Sequence, residues 1–285
     1  MSVVITGATG HLGRLVVEGL LDTGVPAGEI VAAGRETTRL KDLEERGVHV
    51  RAIDFDDPAT LRAAFDGAGK VLLISGSELG QRVRQHQQVI DAARQAGVEL
   101  LAYTSIAHAD TSLLRLAEDH KATEAAVRAS GVPFVLLRNS WYMENYTAQL
   151  ATVLQHGTVV GSAGDGRVSA ATRADFAAAT AAVLASAEPV GQVYELGGDE
   201  AFTLAELAAA VSAQTGRDIG YRDLPEDEYR EVLIGSGLPE PIATVLADSD
   251  RGIARGDLFV DSGDLRRLIG RPTTPLRDAV AAALA

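Results

Sequence analysis

The stretch Val3-Val4-Ile5-Thr6-Gly7-Ala8-Thr9-Gly10-His11-Leu12-Gly13 decides the fold. Four β-branched residues in a row predict a short buried strand, and the glycines that follow predict a turn. Leu12, Leu15, Val16, Gly19 and Leu20 then recur at helical spacing, and Gly24 with Pro26 closes the helix. Strand, glycine turn and helix in this order make a phosphate cradle. Gly7 permits the tight turn, and Gly10 lets the backbone approach a pyrophosphate with no Cβ between them. Gly13 lets the helix pack closely on the strand. The amides of the first helical turn face the anion, with the positive end of the helix dipole behind them. Gly7, Ala8, Thr9, Gly10, His11, Leu12 and Gly13 are therefore the first candidate cofactor-binding residues.

Working outward, a second strand over Glu29 to Gly34 ends at Arg35, 22 residues after Gly13. A site for NAD usually carries an acidic residue about 20 positions past the glycines, whereas a site for NADP favours an arginine. Arg35 can pair with a 2′-phosphate, and Arg39 one turn on can add charge. Glu36 next door can instead serve a 2′-hydroxyl, and Arg35 can also be read as a solvated loop residue. The balance favours NADP(H) over NAD(H).

A helix over Leu40 to Arg46 leads to a strand over Val48 to Ile53, whose end places Asp54 and Phe55 beside an adenine. Asp56 or Asp57 suits the cap of a helix starting at Pro58. The strand Lys70 to Ser75 ends in Ser75-Gly76-Ser77, small residues that let the chain pass under the nicotinamide side. A helix over Gly80 to Ala96 and a strand over Glu99 to Thr104 continue the alternation. A sixth strand, Val132 to Arg138, runs into Asn139-Ser140-Trp141-Tyr142-Met143-Glu144-Asn145-Tyr146. Aromatic residues clustered at a strand end can wall an apolar pocket, although core packing of Trp141 reads equally well. Repeated strand and helix alternation predicts an α/β fold, a Rossmann-type doubly wound parallel sheet with ligands at the carboxyl ends of its strands.

Beyond Gly157 the pattern changes. Gly161 to Gly166 suggests a hairpin, and Asp175 reads as the cap of an alanine-rich helix to Ser186. A strand over Val193 to Leu196, a helix over Thr203 to Thr215 and an extended Ile219 to Leu224 follow. The expected organisation is a NAD(P)-binding Rossmann domain, 1–150 plus about 167–198, and a smaller C-terminal α/β substrate lobe, about 151–166 plus 199–285.

Composition narrows the chemistry. The 285 residues are 46% hydrophobic and 23% charged, ordinary for a globular protein. A net charge of −13 works against capture of nucleic acid or an anionic membrane surface. No apolar run approaches the roughly 18 residues of a membrane helix, so no membrane insertion is expected. The chain has no cysteine, which excludes thiolate catalysis and fits a reducing compartment. A first strand at residue 3 leaves no room for a signal peptide, and the expected location is cytoplasmic. The six histidines never take metal-ligand spacing, so no metal is expected. No serine occupies a glycine-flanked elbow between strand and helix. Redox chemistry carried by a nicotinamide remains.

Gly7-x-x-Gly10-x-x-Gly13, the Arg35 position, His120-Lys121-Ala-Thr-Glu124 and Arg138-Asn-Ser-Trp-Tyr-Met-Glu-Asn-Tyr146 together resemble the NmrA-like branch of the short-chain dehydrogenases/reductases, and within it the bacterial NADPH-dependent quinone oxidoreductases of type 2. The similarity continues through Ala163 to Asp175, Tyr194 to Asp199 and Gly270 to Thr274, essentially the whole chain. It implies an NAD(P)H:quinone oxidoreductase acting on a small-molecule quinone, as a monomer or a homodimer. It also implies that Lys121, Asn139 and Arg173 contact the cofactor and that Ser140, Trp141, Tyr142, Glu144 and Asn145 form the substrate side. One departure matters. The superfamily tyrosine, four residues before the lysine, is Ala117 here, so that proton relay is unavailable. Lys121 can hold a ribose or polarise a substrate oxygen, or be a solvated lysine beside Glu124. His120 can be a proton donor or a helix-surface histidine. The same branch also contains non-catalytic proteins that bind NAD(P) and act as redox sensors through a protein partner, which the missing tyrosine would suit too.

Overall fold

The computed structural model describes residues 2–78, 80–186 and 191–285. Its strands, among these residues, are β1 Ser2–Ile5, β2 Ile30–Gly34, β3 His49–Ala52, β4 Ala68–Leu73, β5 Leu100–Ile106, β6 Phe134–Asn139, β7 Thr158–Gly161, β8 Gln192–Leu196 and β9 Gly220–Asp223. Seven form one sheet in the order β3-β2-β1-β4-β5-β6-β8. The pairings β1 with β2, β1 with β4, β2 with β3 and β4 with β5 are all parallel. Helices join successive strands, so the expected Rossmann-type fold is the observed one. The strand order reverses between β1 and β4, where a doubly wound sheet opens a crevice at its carboxyl edge.

The chain divides into two compact units, Met1–Ile106 with Asp119–Arg138 and Arg173–Tyr194, and Ala107–Glu118 with Asn139–Thr172 and Glu195–Ala285. In the first, Val4, Val31, Phe65, Val71, Leu73, Ile90, Leu101 and Leu136 form one buried cluster. β2 and β5 are buried at every residue, as strands covered on both faces must be. Helix His11–Asp22 meets helix Arg173–Ala185 at Gly19, where an added Cβ would come within 3.1 Å of Ala181 Cβ. The second unit has its own smaller core of Tyr229, Leu233, Ala243 and Ala247.

Three expectations need correction. The units differ from the anticipated bounds, because 107–118, 139–150, 167–172 and 195–198 belong to the second unit. His108 Nε2 bonds to Phe259 O at 2.8 Å, Arg115 N to Asp248 at 2.9 Å, and Ser140 Oγ to Leu258 O at 2.7 Å. Positions 187–190 of the anticipated 167–198 segment lie outside the described residues. The expected hairpin near Gly161 is instead a parallel pairing of β7 with β9, some 60 residues on. Asp175 lies within the first turn of helix Arg173–Ala185, fully buried, and not at its cap. One local reading holds: Asp57 caps helix Pro58–Phe65, its carboxylate accepting Ala59 N at 3.0 Å; Thr203, expected inside a helix, is the N-cap of helix Leu204–Thr215 and forms a reciprocal capping box with Glu206.

Candidate active site

A recess of about 240 Å³ lies at the carboxyl ends of β1 to β4. Gly7, Thr9 and Gly10 line it after β1, Gly34 and Arg35 after β2, Ile53, Asp54 and Phe55 after β3, and Ile74 to Glu78 after β4, with Gln85 behind. The glycines do what the sequence requires of them. Gly7 has φ +64°, and its carbonyl accepts Gly10 N at 2.9 Å, closing the turn. A Cβ on Gly13 would lie 2.4 Å from Gly7 O, so only glycine lets the helix start there. A Cβ on Gly10 would meet only Gly7 O, at 3.3 Å, which leaves the space beyond it for a ligand. Gly10, at the N-cap of the first helix, has no side chain to occupy the helix's leading amides, and among the described residues no side chain caps it. This backbone fits the pyrophosphate of a dinucleotide. Ala8 and Leu12 are buried and face the core, and exposed His11 stands outside the recess lining.

The recess floor is held by side chains. Leaving β4, Ile74 N donates to Thr6 Oγ1 at 3.1 Å, Ser75 N to Thr104 Oγ1 at 2.9 Å, and Gly76 N to His86 Nε2 at 2.9 Å. Arg82 Nε donates to Gly76 O at 2.7 Å. Because Nε2 of His86 accepts, its proton sits on Nδ1, which reaches Thr123 Oγ1 at 2.9 Å. Burial first, and the Arg82 guanidinium second, push the His86 pKa down to about 3. His86, Arg82 and Thr6 hold the recess floor and are positions that sequence reading misses, because nothing local marks a histidine on a helix as the acceptor for a loop ten residues earlier.

His120 is neither a surface residue nor poised in the recess. It is 5% exposed, and its Nδ1 meets Tyr103 Oη at 2.7 Å. Burial, with Arg82 and His86 adding to it, holds it well below the ordinary histidine range, so it is neutral. Desolvation likewise raises the Tyr103 phenol far above its usual value. Glu124 is buried too, accepting Arg138 Nη2 at 2.7 Å, Arg138 Nε at 2.9 Å and Ser105 Oγ at 2.6 Å. Lys121 is exposed on helix Arg115–Ala129, and Ala117 is buried.

Arg35 lines the recess as expected, but its Nη1 pairs with Glu78 Oε1 at 2.7 Å. Asp54 and Phe55 line the same recess, and Asp54 Oδ1 also takes Asp56 N at 2.9 Å. In the second unit, Trp141, Asn145 and Tyr146 wall an apolar cavity together with Leu150, Val160 and Tyr229, with Asp250 at its polar end. Ser140, Tyr142 and Glu144 do not line it. The Ser140 hydroxyl is committed to Leu258 O, Tyr142 bridges to Ala171, and Glu144 opens the short helix Glu144–Thr147. Both amide atoms of Asn139 are buried with no hydrogen-bond partner among the described residues. Arg173 starts its helix, half-buried.

The fold and the glycine cradle define a nucleotide-binding member of the short-chain dehydrogenase/reductase type, and residues 1–261 match the NmrA-like family, to which the chain belongs. It is 49% identical over 278 residues to quinone oxidoreductase 2 of Escherichia coli (strain K12), covering 98% of this chain and 97% of that one. The crystal structure of an NADPH-dependent quinone oxidoreductase from Escherichia coli, complexed with NADPH, superposes with a TM-score of 0.96 at 48% identity, covering 99% and 100% of the two chains. Citrobacter sp. triphenylmethane reductase complexed with NADP(H) superposes with a TM-score of 0.94 at 37% identity, covering 99% and 100%.

Proposed function

We propose that the chain is an NADPH-dependent quinone oxidoreductase. The observation that carries this reading is the glycine-built recess at the switch point of the sheet, with Arg35 at its rim, in a chain similar along its length to an enzyme of that name. When bound, NADPH supplies the hydride. Gly7 to Gly13 bind its pyrophosphate through backbone amides and the helix dipole. Arg35 takes the 2′-phosphate, Asp54 and Phe55 flank the adenine, and the side-chain-anchored Ser75-Gly76-Ser77 forms the floor. Lys121 and Arg173 serve the nicotinamide end. Trp141 and Asn145, on the wall of the apolar cavity, face the quinone.

No acid is needed where the superfamily tyrosine would stand. Hydride addition to a quinone gives a hydroquinone anion whose charge is spread over a ring. A simple ketone would become a localised alkoxide, for which a positioned acid is worth a factor of about 10² to 10⁴. Buried Ala117 supplies no acid, and His120 and Tyr103 are committed to each other. Positioning then carries the rate. The reading of a non-catalytic sensor has less support, since relatives of high identity are enzymes by name.

The test is oxidation of NADPH and NADH by the purified protein with and without added benzoquinone, and with a simple aliphatic ketone in its place. Quinone-dependent turnover that favours NADPH and ignores the ketone is expected. Tight cofactor binding without turnover would restore the sensor.

A further inference from the structure

Arg35, the guanidinium offered to a 2′-phosphate, already holds an anion. Its Nη1 lies 2.7 Å from Glu78 Oε1, and the other carboxylate oxygen accepts Gln85 Nε2 at 2.9 Å. Gln85 is 4% exposed on helix Arg82–Ala96, and the same Nε2 donates to Asp56 at 3.1 Å. Arg84, the next cation along, is taken by Asp56 at 2.5 Å and by Gln81. Glu78 is thus anchored from behind by a buried amide while its carboxylate reaches the guanidinium at the rim. Arg35, Glu78 and Gln85 all line the recess. A 2′-phosphate arriving at Arg35 meets a guanidinium already partly neutralised, with a fixed carboxylate beside it. A 2′-hydroxyl meets no such conflict, because a carboxylate is a good acceptor for it.

From this geometry we infer that Glu78 is a specificity-determining residue, which competes with the 2′-phosphate for Arg35 and holds the preference for NADPH below what Arg35 alone would confer. The inference rests on the proposed cofactor site. Its sign is opposite to that of a merely supporting role. Were Glu78 there to orient Arg35 for the phosphate, removing its charge would weaken NADPH binding.

The experiment measures dissociation constants for NADPH and NADH by quenching of protein fluorescence, at low and at physiological salt, in wild type, Glu78→Gln, Arg35→Ala and the double variant. Glutamine keeps the length of the side chain and an oxygen for Gln85, and removes only the charge. In Glu78→Gln, NADPH affinity is expected to rise about three- to tenfold, as suits an exposed charge pair plus a like-charge contact relieved. NADH affinity does not rise, and the gain for NADPH shrinks with salt. In the Arg35→Ala background the gain is smaller than in wild type, since no guanidinium is left to compete for and only the like-charge contact is relieved. Unchanged or weaker NADPH binding in Glu78→Gln, with wild type binding normally, overturns the inference. Wild type that binds neither cofactor overturns the site itself, and this inference with it.

Discussion

The recess of the first unit and the cavity of the second are built on opposite principles. The first is open and lined by backbone, glycines and exposed ion pairs such as Arg35 with Glu78. Charge there is screened, and each pair is worth about 0 to 1 kcal/mol. The second is apolar, and its polar end is a carboxylate that is nearly fully buried. Asp250 accepts Ser162 N at 2.8 Å, and desolvation pushes its pKa up to about 7. Desolvation also raises the neighbouring phenols Tyr146, Tyr229 and Tyr221. The exposed pair at the recess therefore tunes which ligand binds, while the buried carboxyl at the cavity ties ionisation to stability. The variants below separate the two.

The largest effect belongs to the glycine cradle, where two neighbours should fail differently. Gly10→Val puts its side chain beyond Gly7 O into the space a pyrophosphate would use, so NADPH binding should fall more than a hundredfold while the fold survives. Gly13→Ala places a Cβ within 2.4 to 2.8 Å of the backbone of Gly7 and Ala8, neither of which can swing aside. It should cost about 3 kcal/mol or more and lower the melting temperature. Calorimetry beside cofactor titration reads both, and a stable Gly13→Ala would mean the turn relaxes.

That contrast also shows what the sequence could disclose. Gly7, Gly10 and Gly13 are legible because the constraint is backbone geometry within seven residues. Arg35 is legible as a position, but its partner is 43 residues away and becomes a neighbour only once β2 and β4 flank β1. His120 stands next to Lys121 in sequence, yet one is buried and the other exposed. Adjacent helix positions point about 100° apart, and alanines all round the helix leave no clear apolar stripe to tell which face turns inward. The misread hairpin has the same origin: glycines announce a turn near Gly161, but not that its strand will pair in parallel with β9. Asp250 gives no signal at all, since Ala-Asp-Ser-Asp-Arg reads as a solvated helix turn and the group that fixes it, Ser162 N, is 88 residues earlier.

For buried Asp250, the ordinary carboxyl value of 3.8 applies to the unfolded chain, and about 7 to the fold. Between these the folded protein binds the extra proton, so stability contributed by Asp250 falls as pH rises from about 4 to 7 and is flat above. Asp250→Asn cannot ionise. Relative to wild type it should gain melting temperature between pH 5 and 8. A constant offset between the two proteins would show that Asp250 is already charged in the fold.

His86 brings a buried group to the open recess and titrates in the other sense. Its folded value near 3 lies below the ordinary 6.5, so the stability it contributes is complete above pH 6.5 and is lost as pH falls toward 3. His86→Leu strips Gly76 N of its acceptor, leaving one half-buried amide that costs about 1 to 3 kcal/mol, while the Thr123 hydroxyl keeps Asp119 O. A Michaelis constant for NADPH about tenfold higher should accompany the lost stability, and His86→Gln, which can still accept from Gly76, should recover most of the affinity. Equal affinity in both variants would detach the loop from cofactor binding.

The smallest effect is expected at the residue most conspicuous in the sequence. A desolvated, bidentate arginine–phosphate contact would contribute about 1.5 to 3 kcal/mol, or roughly ten- to a hundredfold. The Arg35 side chain is 67% exposed and is held by Glu78 in the free protein, so a 2′-phosphate gains only the difference between two anions in water. Arg35→Ala should therefore raise the Michaelis constant for NADPH by about three- to tenfold, with NADH almost unaffected. The loss should shrink further at high salt, because nothing buries the pair. A hundredfold loss that persists in salt would mean that the rim closes over the phosphate when cofactor binds. The open recess would then share the low-dielectric character of the cavity around Asp250.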